Sequence, residues 1–423
     1  MAVFEELKKR GLIDNITSPA LKEKLDKGGL NFYIGFDPTA DSYHVGNLAV
    51  FNVMSFLQKA GHTPMALVGG ATGMIGDPGG RSKERNLLTK EKLAENIAGQ
   101  KKQLEKFLAF EGKDSIEVLN NYDWLKEWSF LDFLREIGKL FSVNQMITRD
   151  SVRLRLEREG EGISYTEFSY MLLQSYDFYH LAKTKDCLLQ LGGSDQWGNI
   201  VSGVDLCRRL LKKETFGLTF PLITKADGSK FGKSQEGNIW LDANKTSPYE
   251  FYQYFLRTDD VDVVRLLKCL TNISLEDIEA LEKTLEAEAH LRKPQIALAE
   301  FLTVVVHGEQ ELEKVKKASQ VLFGKKVDDL DDQTLKQIFK DVPSMEVSSE
   351  KLSGEWKLVD ALVESGACGS KSQARKLLNS GGVYINNERV EEADLVLTKS
   401  HLASESCLVI RTGKKNYRLI TVV

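Results

Sequence analysis

Three short apolar runs in the first half of the chain each lead into a glycine-rich turn and then a helical pattern. They occupy residues 32–34, 65–68 and 188–191. Strands that alternate with amphipathic helices are typical of a parallel sheet covered by helices. Such sheets bind ligands at the carboxyl ends of their strands, which is where these glycine-rich turns fall. The pattern therefore predicts an α/β domain whose site is built on the turns.

The rest of the chain is helical at first and mixed near its end. Ser247 and Ser274 each begin a helical pattern. A charged stretch follows, and then two helices and a hairpin around Asn386 and Asn387. We therefore predict an α/β domain over 1–224 with a helical insertion and subunit interface at about 86–159, a connector with a basic loop over 225–246, a helical domain over 247–324, a mobile linker with one short helix over 325–350, and a small α+β domain over 351–423.

Composition excludes several classes of protein. No apolar run is long enough to span a membrane, and the first ten residues lack the features of a signal or transit peptide, so we expect a cytoplasmic protein. The five cysteines are widely spaced, without a C-x-x-C pair, so we expect reduced thiols and no zinc site. Residues 351–423 carry eleven Lys and Arg against eight Asp and Glu, a charge of +3, which leaves −7 on the rest of the chain. This distribution favours a localised RNA contact.

The first chemical motif, residues 35–47, follows the first predicted strand and is called here the N-terminal signature. Its sequence is Gly-Phe-Asp-Pro-Thr-Ala-Asp-Ser-Tyr-His-Val-Gly-Asn. Gly35 allows a ligand to approach the backbone closely, while Thr39 and His44 could donate hydrogen bonds to phosphate oxygens near the N-terminus of the following helix. We expect Asn47 to share a helix face with His44. A capped turn with a surface histidine is the alternative.

A second motif, the basic loop of residues 230–234, has the sequence Lys-Phe-Gly-Lys-Ser. Lys230 and Lys233 flank a glycine, with Ser234 beside them. Two mobile ammonium groups suit the charge that develops on a leaving pyrophosphate. Alone, the loop could equally be a solvated basic turn.

Three further patterns could contact a small ligand. Tyr170, Gln174 and Asp177 share one stripe of a predicted helix, although such a stripe is ordinarily a solvated face. Residues 192–199 combine glycines with an acid and an amide, a composition that suits a ribose or an amine. Residues 68–78 form a similar glycine-rich loop that ends in an acid.

Together these motifs resemble the bacterial-type tyrosyl-tRNA synthetases, a family of class I aminoacyl-tRNA synthetases, over nearly the whole chain. Residues 120–124, 141–146 and 166–170 support the resemblance. It implies a Rossmann-like parallel-sheet catalytic domain with a helical insertion, followed by an α-helical domain and a small α+β RNA-binding domain. It also implies a homodimer that activates L-tyrosine with ATP, Mg²⁺ accompanying the ATP, and transfers tyrosine to the 3′ end of tRNA(Tyr).

The resemblance further implies roles for individual residues. Asp177 and Tyr33 would bind the phenol hydroxyl, and the ammonium group would contact Tyr170, Gln174 and Asp77. The full tyrosine set is Tyr33, Asp77, Tyr170, Gln174, Asp177 and Gln196. The ATP set is Gly35, Asp37, Thr39, His44, Gly193, Asp195, Lys230 and Lys233. The catalytic set is Thr39, His44, Asn47, Lys230, Lys233 and Ser234.

The last segment resembles a small RNA-binding domain shared with a ribosomal protein. The resemblance implies tRNA contacts at Lys371, Arg375, Lys376, Arg411, Lys414 and Lys415. Arg418 would join this second basic group, and Arg81, Lys83 and Arg85 could meet the acceptor end of the tRNA. Without the resemblance, solvated charged faces explain these residues equally well.

Three departures from the family pattern and two alternatives remain. Asn47 stands where the class motif commonly ends in histidine, and Phe231-Gly232 replaces Met-Ser in the basic loop. Ile34 stands where some relatives have a cysteine that can contact the ribose. Tryptophanyl specificity is one alternative, because the scaffold is shared. The other is a catalytically silent relative that binds RNA.

Overall fold

A computed structural model describes residues 2–78, 89–157, 162–229, 231–234, 237–321, 327, 330–340, 342–392, 394–413 and 416–423. The chain divides into two compact units. Unit 1 comprises Met1–Lys245 and Thr258–Leu298, and unit 2 comprises Thr246–Arg257 and Ala299–Val423. The domain boundaries given above stay predictions, since the predicted helical domain contributes residues to both units.

The α-helices are, in chain order, α1 (Val3–Lys9), α2 (Ala20–Lys27), α3 (Leu48–Lys59), α4 (Lys90–Leu104), α5 (Tyr122–Leu125), α6 (Phe130–Glu136), α7 (Val143–Ile147), α8 (Asp150–Leu156), α9 (Tyr165–Thr184), α10 (Trp197–Leu211), α11 (Pro248–Leu256), α12 (Asp260–Leu270), α13 (Leu275–Glu288), α14 (Lys293–His307), α15 (Glu309–Val321), α16 (Asp332–Ile338), α17 (Leu358–Glu364) and α18 (Lys371–Asn379).

The β-strands are, in chain order, β1 (Asn15–Ile16), β2 (Asn31–Phe36), β3 (Thr63–Val68), β4 (Glu117–Asn120), β5 (Cys187–Gly193), β6 (Phe216–Phe220), β7 (Lys233–Ser234), β8 (Gly237–Asn238), β9 (Ser344–Val347), β10 (Val383–Ile385), β11 (Glu388–Val390), β12 (Cys407–Thr412) and β13 (Asn416–Val422).

The core of unit 1 is a sheet in the order β1-β6-β5-β2-β3-β4, in which β1 is antiparallel and the other strands run parallel. The three predicted strands lie within β2, β3 and β5. All side chains of β6, and most of those of β2, β3 and β5, are buried, as expected for strands covered on both faces. The turns after β2, β3 and β5 therefore meet at one edge of the sheet.

The predicted helical insertion contains a strand that the sequence analysis missed. β4 pairs parallel with β3 at the edge of the sheet, and none of its four residues is fully buried. A short, half-exposed edge strand lacks the continuous apolar run by which the buried strands were recognised. Around it the insertion is helical, as predicted.

Unit 2 contains a sheet in the order β11-β10-β12-β13-β9, antiparallel except for the parallel pair β13-β9. The predicted hairpin joins β10 to β11, and both of its turn residues have positive φ, 49° at Asn386 and 65° at Asn387. Two such residues are typical of the type I′ turn that matches strand twist.

The segment for which a mobile linker was predicted is largely part of unit 2. β9 pairs with β13, and the short helix α16 buries Leu335 and Ile338 in a cluster with Val409 and Tyr417. The apolar residues of this segment are few and widely spaced. They are buried only because they pack on a sheet formed by residues far along the chain. The short helix itself was predicted.

All five cysteines are free and buried, as expected. Within the described part of the chain, no group of three or more His, Cys, Asp or Glu side chains could hold a metal ion. No helix among the described residues combines the length and apolar character needed to cross a membrane.

His62 is a buried histidine whose two nitrogens both have partners. Nδ1 accepts a hydrogen bond from the Leu30 amide at 3.1 Å, so the neutral ring carries its proton on Nε2, which donates to the Leu25 carbonyl at 2.9 Å. The side chain has no exposed area, and this burial lowers the pKa of His62 below its ordinary value. Protonation would remove the acceptor that holds the start of β2.

We expect this histidine to make stability fall in mild acid. Folding lowers the pKa of His62 below 6.5, the value for this side chain in the unfolded chain. Its contribution to stability is therefore fully present above about pH 6.5 and is lost as the pH falls below that value. Each unit of lowering corresponds to about 1.4 kcal/mol of unfolding free energy. Melting temperatures from about pH 5 to about pH 8 should fall less steeply toward acid in His62→Asn than in the unchanged chain. His290→Gln, at an exposed histidine, serves as control, and identical pH profiles for all three would contradict the prediction.

Candidate active site

A cavity of about 600 Å³ opens at the edge of the sheet where β2, β3 and β5 end. It brings together residues that lie far apart in sequence. Thirteen of the predicted tyrosine, ATP and catalytic residues line it: Tyr33, Gly35, Asp37, Thr39, His44, Asn47, Asp77, Tyr170, Gln174, Asp177, Gly193, Asp195 and Gln196. Lys230 and the side chains of Lys233 and Ser234 lie outside the described residues.

Asp177, on α9, is a buried carboxylate that contacts the cavity. Only 2% of its surface is exposed. Asn121 Nδ2 donates to Oδ2 at 2.9 Å, and Trp124 Nε1 donates to Oδ1 at 2.8 Å. Burial raises the pKa of Asp177 to about 7, although both donors act to lower it. Two fixed donors orient the carboxylate, which can accept a further hydrogen bond from a hydroxyl group.

The Tyr33 hydroxyl lies in the same apolar surroundings. Tyr33 is 1% exposed and packs on Phe178 with ring centroids 5.5 Å apart. Burial raises the pKa of Tyr33 well above its ordinary value, and the nearby charge of Asp177 adds to this effect. Within the described part of the chain this hydroxyl has no hydrogen-bond partner. Because a buried polar group without a partner is costly, this end of the cavity suits a ligand with a polar tip on an apolar ring.

The polar stripe on α9 faces the cavity, so the solvated-face alternative is wrong for Tyr170 and Asp177. Tyr170 is 6% exposed, and its hydroxyl donates to Asp37 Oδ1 at 3.3 Å. Gln174 is half-buried one turn away. Three polar groups at intervals of one helical turn thus line one wall.

A chain of amides and one carboxylate continues from this wall. Asn199 Nδ2 donates to Gln174 Oε1 at 3.0 Å and to Gln196 Oε1 at 3.2 Å, and Gln196 Nε2 donates to Asp77 Oδ2 at 2.6 Å. Asp77 is 8% exposed, at the end of the predicted glycine-rich loop. Carbonyl oxygens beside a carboxylate provide acceptors for an ammonium group.

The opposite part of the cavity is built from backbone and a second acid. A Cβ atom added to Gly35 would have no neighbour within 4 Å, so this position leaves the end of β2 open to a ligand. Gly193 lies so close to Asp195 that an added Cβ would be 2.6 Å from its Oδ1. Burial raises the pKa of Asp195. A carboxylate held against open backbone suits the hydroxyl groups of a ribose.

His44 and Asn47 do not share a helix face, which corrects the prediction. His44 precedes a single 3₁₀ turn, Val45–Asn47, and α3 begins after it. His44 Nδ1 accepts from the Gly46 amide at 3.1 Å, and Asn47 Oδ1 accepts from the His44 amide at 3.1 Å. The neutral imidazole therefore carries its proton on Nε2, and Asn47 presents its amide nitrogen as a donor. Both residues can therefore still donate a hydrogen bond, as expected, although their arrangement differs from the predicted one.

The N-terminal signature and the basic loop contact each other. The Val45 amide donates to the Ile239 carbonyl, and the Ile239 amide donates to the Gly232 carbonyl, both at 2.9 Å. Gly232 has φ +87°, and a Cβ there would lie 2.9 Å from Val45 Cγ2. A glycine is thus required by both its backbone conformation and the close approach of Val45.

Sequence reasoning missed several residues of the site. Asn121 and Trp124 orient Asp177, and Thr72 Oγ1 accepts from Asn121 Nδ2 at 2.9 Å. Asn199 links the amide chain. The motif at residues 120–124 supported the family resemblance, but nothing in the sequence showed that it approaches α9.

The basic residues of unit 2 differ in their surroundings. Arg375 and Lys376 are exposed on α18, and Lys371 is exposed while pairing with Asp360 at 2.7 Å. Arg411 is 9% exposed; its Nε donates to Asn387 at 2.8 Å, and its guanidinium lies 3.7 Å from the Tyr384 ring centroid. Arg411 is therefore a structural residue of the sheet, and its RNA contact stays a prediction.

The remaining predicted basic positions are of two kinds. The Arg418 side chain donates to the carbonyls of Ser365 and Gly366, just past the end of α17, so it too has a structural contact. Lys414, Lys415, Arg81, Lys83 and Arg85 lie outside the described residues.

Comparison with known proteins agrees with this geometry. The family described as "tRNA synthetases class I (W and Y)" matches residues 25–324, and the "Tyrosine--tRNA ligase SYY-like C-terminal domain" matches residues 334–420. A tyrosine–tRNA ligase from Rhodopirellula baltica is 48% identical over 424 residues, which covers 100% of this chain and 96% of that protein. Another, from Bacteroides thetaiotaomicron, is 49% identical and covers 99% of both chains.

A solved structure gives the same result for the fold. A C-terminally truncated mitochondrial tyrosyl-tRNA synthetase from Aspergillus nidulans has a TM-score of 0.68 and 31% identity, covering 76% of this chain and 94% of that one. The family resemblance and the α/β fold class predicted from the motifs are both confirmed. The chain therefore belongs to the tyrosine–tRNA ligase family of class I tRNA synthetases.

Proposed function

We propose that this chain activates L-tyrosine with ATP to tyrosyl-adenylate and transfers the tyrosyl group to the 3′ end of tRNA(Tyr). The observation that carries the specificity is the buried Asp177 carboxylate, which Asn121 and Trp124 orient. Beside it lies the Tyr33 hydroxyl, which has no hydrogen-bond partner among the described residues. A phenol fits between them, because its hydroxyl can donate to Asp177 and accept from Tyr33. Gln174, Gln196 and Asp77 would then face the ammonium group of the same tyrosine.

Adenylation places the ATP phosphates along the N-terminal signature. The tyrosine carboxylate attacks the α-phosphate in line, a new oxygen–phosphorus bond forms, and the bond to the β-phosphate breaks as pyrophosphate leaves. Thr39, the Nε2 proton of His44 and the ammonium groups of Lys230 and Lys233 would stabilise the charge on the departing phosphates. Asp195 and the backbone at Gly35 and Gly193 would hold the ribose. Positioning and charge stabilisation suffice, since no covalent enzyme intermediate is needed.

Transfer uses the same adenylate. A hydroxyl of the terminal tRNA ribose attacks the tyrosyl carbonyl, and AMP leaves with the electron pair of the anhydride bond. Lys371, Arg375 and Lys376 on α18, together with Lys414 and Lys415, would bind tRNA phosphates. Mg²⁺ would accompany ATP on its phosphate oxygens. We place this reaction in the cytoplasm.

We also propose a homodimer formed through the helical insertion. Large apolar side chains are exposed there, including Phe130 at 65%, Leu131 at 75% and Val143 at 55%. Tyr165, at the start of α9, is 62% exposed. Several exposed large apolar side chains in one region of the chain favour an interaction site there.

Amino-acid-dependent exchange of pyrophosphate into ATP tests the proposal. We expect exchange with tyrosine and none above background with tryptophan, because an indole cannot both donate to Asp177 and accept from Tyr33. Exchange with tryptophan but not with tyrosine would assign tryptophanyl specificity. No exchange with either amino acid, combined with tRNA binding, would favour the catalytically silent relative.

A further inference from the structure

One face of α4 lies against residues 38–43, which are called here the Thr39 loop. Asn96, Gln100 and Gln103 recur on this face at intervals of one helical turn. They are 1%, 3% and 8% exposed, respectively. Buried amides are uncommon on a helix unless they have partners.

Each of these amides binds the Thr39 loop. Asn96 Nδ2 donates to the Pro38 carbonyl at 2.7 Å, and Gln100 Nε2 donates to the Ala40 carbonyl at 3.0 Å. Gln103 binds the loop twice: Oε1 accepts from the Tyr43 amide at 2.8 Å, and Nε2 donates to Ser42 Oγ at 2.9 Å. The helix thus supplies hydrogen bonds to backbone groups of the loop, and the Tyr43 carbonyl also accepts from the Leu241 amide at 2.9 Å.

Gly99 fixes how closely the loop approaches. An added Cβ would lie 2.1 Å from the Asp41 carbonyl oxygen and 3.1 Å from its carbonyl carbon. These are backbone atoms, so the loop itself would have to move. Glycine destabilises the interior of a helix. Its presence at position 99 is explained by the close contact between α4 and the loop.

The Thr39 loop is also held from its other side. Lys245 pairs with the Asp41 carboxylate and lies 5.1 Å from the Trp240 ring centroid. Trp240 in turn lies edge-on to His44, with ring centroids 6.1 Å apart. The loop that carries Thr39 and leads into His44 is therefore held between α4 and residues 240–245.

We propose that Gly99, with the amides of Asn96, Gln100 and Gln103, positions Thr39 and His44 for adenylation. The inference rests on the proposed function, because it gives α4 the role of fixing the position of the loop relative to the ATP phosphates. Gln100 also lines the cavity, whereas Asn96, Gly99 and Gln103 are not among its lining residues and would act through the loop. Because Cβ atoms essentially never approach another heavy atom within 3.0 Å, alanine at position 99 would displace the loop by about 1 Å and weaken contacts made with the departing pyrophosphate.

Gly99→Ala is the direct test. We expect kcat for tyrosine-dependent pyrophosphate exchange to fall by roughly 30-fold or more, with KM for tyrosine changed by less than about twofold. The clash with the loop should lower the melting temperature, although the better helix propensity of alanine offsets part of this cost. Ala98→Gly, at the exposed neighbouring position, is the matched control, expected to lower the melting temperature while keeping kcat. Unchanged kcat in Gly99→Ala would overturn the proposal.

A double-mutant cycle with Thr39→Ala separates positioning from general damage. If Gly99 acts through Thr39, Gly99→Ala should cost much less in the Thr39→Ala background than in the unchanged chain. Equal losses in both backgrounds would overturn this route. Gln103→Glu keeps the acceptor for the Tyr43 amide and should retain most of the activity that Gln103→Leu loses; equal losses in the two variants would contradict the assignment.

Hydrogen exchange provides a readout that does not depend on catalysis. Amides of residues 39–45 should exchange faster in Gly99→Ala than in the unchanged chain, with no change in β2 or α9. If the unchanged chain shows no pyrophosphate exchange, the proposed function fails, while this measurement still tests whether α4 holds the loop. Identical exchange in both proteins would overturn the inference.

Discussion

Replacing Asp177 by asparagine should raise KM and Kd for tyrosine by roughly 10²–10³-fold. The substitution keeps the shape of the side chain, but it removes the charge and turns one oxygen into a nitrogen that opposes the donors of Asn121 or Trp124. Loss of a hydrogen bond to a charged group, together with a buried donor left unpaired, costs about 3–4 kcal/mol. Equilibrium dialysis with tyrosine, alongside pyrophosphate exchange, measures both constants. Asp123→Asn, at an exposed acid nearby, is the matched control and should bind tyrosine normally.

The same carboxylate predicts how binding depends on pH. The pKa of Asp177 is raised to about 7 in the ligand-free chain, and the phenol needs the ionised form as its acceptor. Tyrosine affinity should therefore weaken as pH falls below about 7, approaching tenfold for each further unit, and this dependence should vanish in Asp177→Asn. A pH-independent Kd in the unchanged chain would contradict this assignment.

Stability should change in the opposite direction. The folded-state pKa of Asp177 lies above its ordinary value of 3.8, so the folded chain binds this proton more tightly than the unfolded chain. The associated stability is fully present below pH 3.8 and is lost as pH rises through about 7. Raising the pH from 3.8 to above about 7 should therefore lower the free energy of unfolding of the unchanged chain through this titration. The same rise in pH should not have this effect in Asp177→Asn. An ionised carboxylate buried at this position thus destabilises the free protein.

Reversing the charge of Arg375 and Lys376 together should reduce kcat/KM for tRNA by roughly 10²-fold and leave tyrosine-dependent pyrophosphate exchange unchanged. Both side chains are exposed on α18, where they can reach a phosphate backbone without breaking the fold. Contacts with phosphates release counterions, so the loss should shrink as salt is raised. Aminoacylation of tRNA(Tyr) at two salt concentrations measures the effect.

A single reversal at Lys399 is the control for Lys376→Glu alone. Lys399 is exposed in the same unit but outside α18, so it changes the net charge equally. We expect only Lys376→Glu to weaken aminoacylation strongly. Equal effects of the two reversals would show that net charge, and not the face of α18, attracts the tRNA.

Local patterns were reliable where burial and backbone conformation depend on nearby residues. β2, β3 and β5 were recognised because strands covered on both faces require continuous apolar runs. The hairpin at Asn386 and Asn387 followed from the turn chemistry of those two residues. β4 was missed because an edge strand needs no such run.

Roles that depend on a partner far along the chain were less reliable. Arg411 was predicted to belong to an RNA-binding group. In the structure its guanidinium donates a hydrogen bond to Asn387 and lies over the Tyr384 ring. His44 and Asn47 were expected on one helix face and instead cap a short turn. A side chain's partners decide its role, and spacing in sequence does not identify partners that folding brings close.

The sequence by itself determined the parallel sheet, because buried strands show in local residue patterns, and its motifs resembled a family that implied most of the residues around the cavity. Only the tertiary structure decided which groups act on one another. It placed Asn121 and Trp124 on Asp177, joined Gly232 to the N-terminal signature, and set Gly99 against the Thr39 loop. Such contacts join segments tens to hundreds of residues apart, and they form only when the packed sheet fixes where each turn and helix lies.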